Sequence, residues 1–256
     1  MIGPGRNAHR RTDAMTGKLV LCAVLALAGA ARHAAAALAG AAAGGSSASP
    51  APPLDLGQIE RKVPNPARGR ALYAVCADCH GRQGVGTVDG TVPAIAGQLV
   101  RVIRKQLVDF RSDRRWDIRM QAVAGRHGLA TAQDVADVSA YVANMRRPAI
   151  TSVGDGQFVR LGERLYGARC ARCHGPGGAG SNARMIPRVA GQQYQYLLRQ
   201  LHDALEGRRP NMAAAHARPL AQLEVSGLDG LADYISRLAV RVTHSTQPTS
   251  LETVAP

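Results

Sequence analysis

The chain has 256 residues, with 32 Lys and Arg against 18 Asp and Glu for a formal charge of +14, and only 4% of its residues are Phe, Trp or Tyr. That length holds one large domain or two small ones, and two aromatic-poor units of about 90 residues would have marginal cores unless a cofactor added apolar bulk. The arginines are scattered through amphipathic stretches with no nucleic-acid motif, which argues against nucleic acid and for acidic partner proteins or an anionic membrane surface.

Residues 1–18 are polar and basic, Leu19 to Ala30 is apolar, and small residues follow to Ser49. A basic head, a short apolar middle and an Ala-x-Ala-like tail predict a cleavable export signal, starting at Met1 or Met15. An uncleaved membrane anchor is the competing reading. It would place Arg32 and His33 near the middle of a span from Leu19 to Ala43, where an arginine is costly. Cys22 lies in the apolar run and reads as an ordinary residue of the signal core. Residues 1–48 are therefore read as signal peptide and Ala-rich leader, and 49–65 as a flexible segment. Export places the remainder in the periplasm. The first 44 residues carry five cations against Asp13, so removing them leaves a charge of +10.

The rest of the chain is written twice. Cys76-Ala77-Asp78-Cys79-His80 recurs as Cys170-Ala171-Arg172-Cys173-His174, 94 residues on. Gly69-Arg70-Ala71-Leu72-Tyr73 precedes the first copy, and Gly162-Glu163-Arg164-Leu165-Tyr166 the second. Pro93-Ala94-Ile95-Ala96-Gly97-Gln98 returns as Pro187-Arg188-Val189-Ala190-Gly191-Gln192, and Gln106-Leu107 as Gln200-Leu201. Ala140-Tyr141-Val142 is echoed by Asp233-Tyr234-Ile235. Such periodicity predicts two equivalent units, 66–147 and 158–240, with a Pro- and Gly-bearing linker at 148–157 and a frayed tail at 241–256.

Within each unit the apolar spacing is helical. Leu99, Val102, Ile103, Leu107 and Phe110 share a face, as do Tyr194, Leu197, Leu198, Leu201 and Leu205. The closing stretches match in step: Val135, Val138, Val142 and Met145 against Leu228, Leu231, Ile235 and Leu238. No alternating strand pattern stands out. Each unit is expected to hold at least three helices, one before the cysteine motif, one in the middle and one at the end.

Cys-x-x-Cys-His is the attachment signature of a covalent c-type haem. Two thiols three residues apart on a helical turn reach the two vinyl groups of one porphyrin, and the adjoining histidine ligates the iron. A zinc ribbon would place its cysteine pairs roughly 15–20 residues apart, whereas Cys79 and Cys170 are far more distant in sequence. A redox dithiol would want a strand-rich context. Two motifs at matched positions behind an export signal therefore predict two haems, attached at Cys76, Cys79, Cys170 and Cys173, with His80 and His174 as proximal ligands.

For the sixth ligands the matched candidates are Met120, 40 residues after His80, and Met212, 38 residues after His174. A thioether would favour the ferrous state and raise the potential relative to a second histidine. Methionine is more often core filler, and Met145 reads that way. Met185 has no counterpart in the first unit. His127 and His216 are rival ligands. Pro93 and Pro187 each follow their histidine by 13 residues, and a carbonyl there would accept the Nδ1–H of the proximal imidazole.

On these paired Cys-x-x-Cys-His-Gly motifs, the paired Pro-x-x-x-Gly-Gln segments, Met120, Met212 and the closing Ala232-Asp233-Tyr234-Ile235-Ser236, the chain resembles the dihaem cytochrome c4 family over residues 66–240. The resemblance implies an all-α architecture of two tandem class I cytochrome c-like domains with haem edges near each other, and His/Met ligation in both. It also implies electron transfer in the periplasm toward a terminal oxidase. Gly69 and Tyr73 would pack near Tyr141 on the final helix, with Gly162, Tyr166 and Tyr234 equivalent. The long Ala-rich leader and the strong basicity depart from the family pattern.

The reading that follows is a periplasmic dihaem carrier of single electrons between respiratory partners, and not an enzyme. The expected partners are redox proteins with acidic docking surfaces, including a terminal oxidase and a quinol-oxidising complex, with peripheral membrane association. A cytochrome subunit of a dehydrogenase or oxidase shares the same chemistry. A dihaem enzyme such as a peroxidase needs an open or readily released iron position, against which the matched methionines count.

Overall fold

Glycine decides how the first and last helices of each repeat meet. In the computed structural model, which describes residues 54–147, 152–212 and 214–239, α2 (Pro66–Leu72) crosses α6 (Ala132–Asn144) at Gly69. In the second repeat α7 (Val159–Arg169) crosses α11 (Val225–Arg237) at Gly162. A Cβ on Gly69 would overlap the Asp137 carbonyl, and one on Gly162 the Gly230 carbonyl. Only a residue without a side chain lets the backbones approach this closely. One turn later Tyr73 stacks obliquely on Tyr141 with ring centroids 5.4 Å apart, and Tyr166 on Tyr234 at 5.5 Å.

The remaining elements follow the same plan twice. α1 (Leu56–Glu60) precedes the first repeat, which adds α3 (Ala74–His80), α4 (Val100–Arg111) and α5 (Ile118–Ala124). The second adds α8 (Ala171–His174), α9 (Tyr194–Leu205) and α10 (Ala214–Leu220). Among the described residues there is no strand, only an isolated bridge between Ser181 and Ile186. The expected all-helical architecture is what the chain forms. Each repeat has its own core. Ile59, Tyr73, Val108, Leu129, Val135 and Val138 fill the first, and Tyr166, Leu197, Leu220, Leu228, Leu231 and Ile235 the second.

Three sequence expectations need correction. Within the segment 49–65, expected to be flexible, the described residues from Leu54 onward include a helix. Asp55 and Gln58 form a reciprocal capping box that starts α1, and Ile59 is fully buried against α4 and α6. A five-residue apolar signal inside a Pro-rich stretch is too short to show a helical period. In the linker, Gly154 and Gly156 donate their N–H groups to the Asp233 carboxylate at 2.9 and 2.8 Å. Asn65 N–H donates to Asp137 at 2.7 Å in the corresponding place of the first repeat. Leu205 ends α9 facing solvent, 37% exposed, and Leu99 is the N-cap of α4 rather than part of its face. The predicted signal peptide and leader, residues 148–151 of the linker and the tail at 241–256 lie outside the described residues.

The two repeats lie within one compact unit and are joined by symmetric hydrogen bonds. Gln98 Nε2 donates to the Arg188 carbonyl and Gln98 Oε1 accepts from Arg188 N–H, both at 2.9 Å. Gln192 does the same to Ala94, at 2.9 and 3.0 Å. The buried Arg147 guanidinium sits between them, donating to the Ala96 carbonyl at 3.2 Å and the Ala190 carbonyl at 3.1 Å. Each pair of partners is related by the 94-residue repeat.

Candidate functional site

Each cysteine motif is carried by a short helix that ends at once. α3 stops at Gly81 with φ of 76°, and α8 at Gly175 with φ of 79°, a left-handed turn that favours glycine. The turn is held from outside: Tyr73 and Tyr166 donate their hydroxyls to the Gly81 and Gly175 carbonyls, both at 2.7 Å. The tyrosine that packs on the final helix therefore also fixes the residue after the histidine. The sequence showed the tyrosines as repeat markers but not this bond.

The histidines are oriented as the spacing predicted. His80 Nδ1–H donates to the Pro93 carbonyl at 2.9 Å, and His174 Nδ1–H to the Pro187 carbonyl at 3.0 Å. That bond sets the tautomer and leaves the Nε2 lone pair for a metal. Burial holds both imidazoles below their ordinary pKa, which keeps them neutral and ligand-competent at neutral pH.

The surroundings of Cys76 and Cys170 do not suit a redox dithiol. Burial pushes the Cys76 and Cys170 thiols up to about 11, whereas reactive dithiols carry a depressed thiol pKa. Nor do the described residues hold any group of three His, Cys, Asp or Glu side chains fit for a metal ion, as a zinc site would need. Covalent haem fits. Cys76 and Ala77 border the first core beside half-buried Ile95, Ile103 and Leu107. Cys170 and Ala171 border the second beside Val189, Leu198, Leu201 and Met212. These are apolar side chains of the kind that a porphyrin face covers.

The methionine candidates fall on corresponding segments. Met120 is half-buried on α5, whose start is capped by Asp117 accepting from the Arg119 and Met120 N–H groups. Met212 is half-buried just before α10 and packs on the second core. Met145 closes α6 against the first core. The rival histidines separate: His127 is exposed, while the His216 ring lies 6.0 Å, centroid to centroid, from His174.

Comparison with known proteins agrees with this geometry. The cytochrome c family model matches twice, over residues 66–146 and 159–238. Cytochrome c4 of Azotobacter vinelandii is 33% identical over 159 residues, covering 57% of this chain and 74% of that protein. The chain belongs to the cytochrome c4 family. Like other cytochrome c4 proteins it has two tandem cytochrome c domains, carries two covalent haem c groups, and is an electron-transfer protein. The crystal structure of reduced recombinant cytochrome c4 from Pseudomonas stutzeri superposes with a TM-score of 0.61 at 27% identity, covering 69% of this chain and all of that one. A further relative, the thiosulfate dehydrogenase electron acceptor of Stutzerimonas stutzeri, is 33% identical over 181 residues, 66% of this chain and 81% of that protein.

Three features of this cytochrome c4 relative escaped the sequence reading: the Tyr–Gly bonds, the reciprocal Gln98 and Gln192 contacts, and a cluster of Arg115 and Arg209 with Gln106 and Gln200. The 94-residue shift relates the members of each glutamine and arginine pair. Only contact across the joint shows what they do.

Proposed function

We propose that this protein shuttles single electrons in the periplasm, from a quinol-oxidising complex toward a terminal oxidase, with His80 and Met120 ligating one haem iron and His174 and Met212 the other. The observation that carries the reading is the joint. The segments that anchor the two histidines, at Pro93 and Pro187, are gripped by Gln192 and Gln98 at the very next residue. Two haem anchors tied to one another this closely suit exchange between the haems.

Haem supplies the one-electron couple. The protein's own groups do the rest. Cys76, Cys79, Cys170 and Cys173 would fix the cofactors covalently, and the Pro93 and Pro187 carbonyls hold the imidazoles in one orientation, so coordination stays fixed as charge changes. For docking, Trp116 and Ile118 are exposed beside Met120, flanked by exposed Arg114 and Arg119. An aromatic anchor among arginines suits an acidic partner surface. Among the described residues no helix is long and apolar enough to cross a membrane. Any membrane association would then rest on the basic surface or on residues outside the described set.

Membranes holding the terminal oxidase should oxidise the reduced protein, at a rate that falls with added salt. No oxidation by such membranes would contradict the reading. The name of the Stutzerimonas stutzeri relative favours a second donor, a thiosulfate-oxidising dehydrogenase, with this chain as its electron acceptor. Copurification with a dehydrogenase would support that alternative. For the second haem, the His174–His216 contact makes His216 the competing sixth ligand.

A further inference from the structure

Arg104 on α4 stands where the second repeat has Leu198 on α9, 94 residues on. It is only 8% exposed, and among the described residues its Nε is buried without a hydrogen-bond partner. Glu60 is the carboxylate that acts on it, and Glu60 is already bound by Arg101 Nε at 2.6 Å. Arg101 in turn repels Arg104. A buried cation without a partner is unfavourable, and the sister helix avoids it with a leucine.

Arg104 lines a cavity of about 400 Å³ between the two repeats. Gln98, Val100 and Asn144 join it from the first repeat, Asn182 and Arg188 from the second, and no carboxylate lines the space. Val100 opens α4, whose first turn has no side-chain cap at Leu99. The N–H groups of that turn add partial positive charge. One of them, Arg101 N–H, donates to Asn182 Oδ1 at 3.0 Å, which leaves the Asn182 NH₂ group as a donor. Arg188 donates through Nη1 to the Gly97 carbonyl at 2.6 Å and has further donors on the same guanidinium. Burial holds both guanidiniums below their ordinary pKa. The hollow beside Leu198 differs: Asp89 and Glu206 share it with Arg199, His202 and Arg208, so its charges balance.

We propose that the cleft at Arg104 binds a small oxyanion of the phosphate or sulfate type. Arg104 is its principal cation and Arg188 the second, with the α4 N-terminus and the Asn182 amide as further donors. The ligand would bridge the two repeats, since its donors come from both. Free phosphate and a phospholipid headgroup present the same oxyanion, and the test separates them. The inference is independent of the choice of sixth ligands and of the redox partners.

The test is thermal unfolding of the holoprotein in rising inorganic phosphate at constant ionic strength, balanced with sodium chloride, for wild type and Arg104→Leu. Phosphate should raise the wild-type Tm progressively, as a ligand of the native state does. Arg104→Leu copies the sister helix and removes an unpaired buried charge. Its Tm without phosphate should match or exceed wild type, and its phosphate affinity should fall on the order of tenfold or more. Arg104→Gln should show the same loss and is the decisive variant should Arg104→Leu not fold. An equal phosphate response in wild type and variant would place the anion elsewhere and overturn the site. The second arm is cosedimentation with phosphatidylglycerol vesicles. Vesicle binding lost in Arg104→Leu, without a response to free phosphate, would give the site to a lipid headgroup. Vesicle binding equal in both proteins with no phosphate response would reflect surface charge alone and overturn the proposal. No response of wild type in either arm would overturn it as well, leaving Arg104 an unpaired buried cation.

Discussion

Gln98 and Gln192 each hold the backbone of the residue that follows the other domain's histidine-anchoring proline. Gln98 takes both polar groups of Arg188, and Gln192 both polar groups of Ala94. The Ala94 N–H is shared further with Gln193 Oε1 at 2.9 Å, and Gln193 is fully buried. The joint is therefore built of side-chain amides on backbone, directly behind the two imidazoles.

Replacing either glutamine with alanine leaves a backbone N–H and C=O in the joint without that partner. Gln98→Ala and Gln192→Ala should each lower stability by about 1–3 kcal/mol. Gln192→Ala should fall at the lower end, because Gln193 still accepts from Ala94 N–H. Denaturant unfolding of the holoprotein measures this. Equal and negligible effects would show that the joint is not held this way.

Gly69→Ala and Gly162→Ala should be more damaging than any surface change. The new methyl meets a backbone carbonyl of the crossing helix, and neither helix can yield without separating the Tyr73–Tyr141 or Tyr166–Tyr234 pair. The expected loss is about 1–3 kcal/mol or more at each site, read as a drop in Tm. Gly167, where a Cβ meets nothing within 4 Å, is the control.

These crossings illustrate what the sequence made legible. The helices, the repeat and the cysteine motifs follow from spacing alone, and the Pro93 and Pro187 carbonyls stand where a 13-residue interval placed them. Contacts between repeats were not legible. Gln98 and Gln192 looked like repeat markers because a neutral amide in a loop has no periodicity that reveals its partner. α1 was hidden because a single buried residue, Ile59, carries its packing.

Acid should loosen the first domain through Asp134 and Asp137. Burial alone would raise both carboxyls, but hydrogen bonds from Arg68 and backbone N–H groups hold them below their ordinary range. A depressed folded pKa means the stabilisation is fully present above the unfolded carboxylate value, about 3.9. It is lost as pH falls through the lower folded values. Thermal unfolding from neutral pH to below 4 should show this decline, and Arg68→Ala should shrink it. A pH profile unchanged by Arg68→Ala would contradict the assignment.

The central claim is that each iron has a closed His/Met coordination. It is tested most directly by the visible and near-infrared spectrum of the oxidised protein. The far-red sulfur-to-iron charge-transfer band should have the intensity of two haems. Met120→Ala and Met212→Ala should each remove one haem's share while leaving the other's intact. A band unchanged by Met212→Ala, with His216→Ala altering the low-spin spectrum, would give the second sixth position to His216. Absence of the band in wild type, with high-spin features at both haems, would contradict the closed-coordination account.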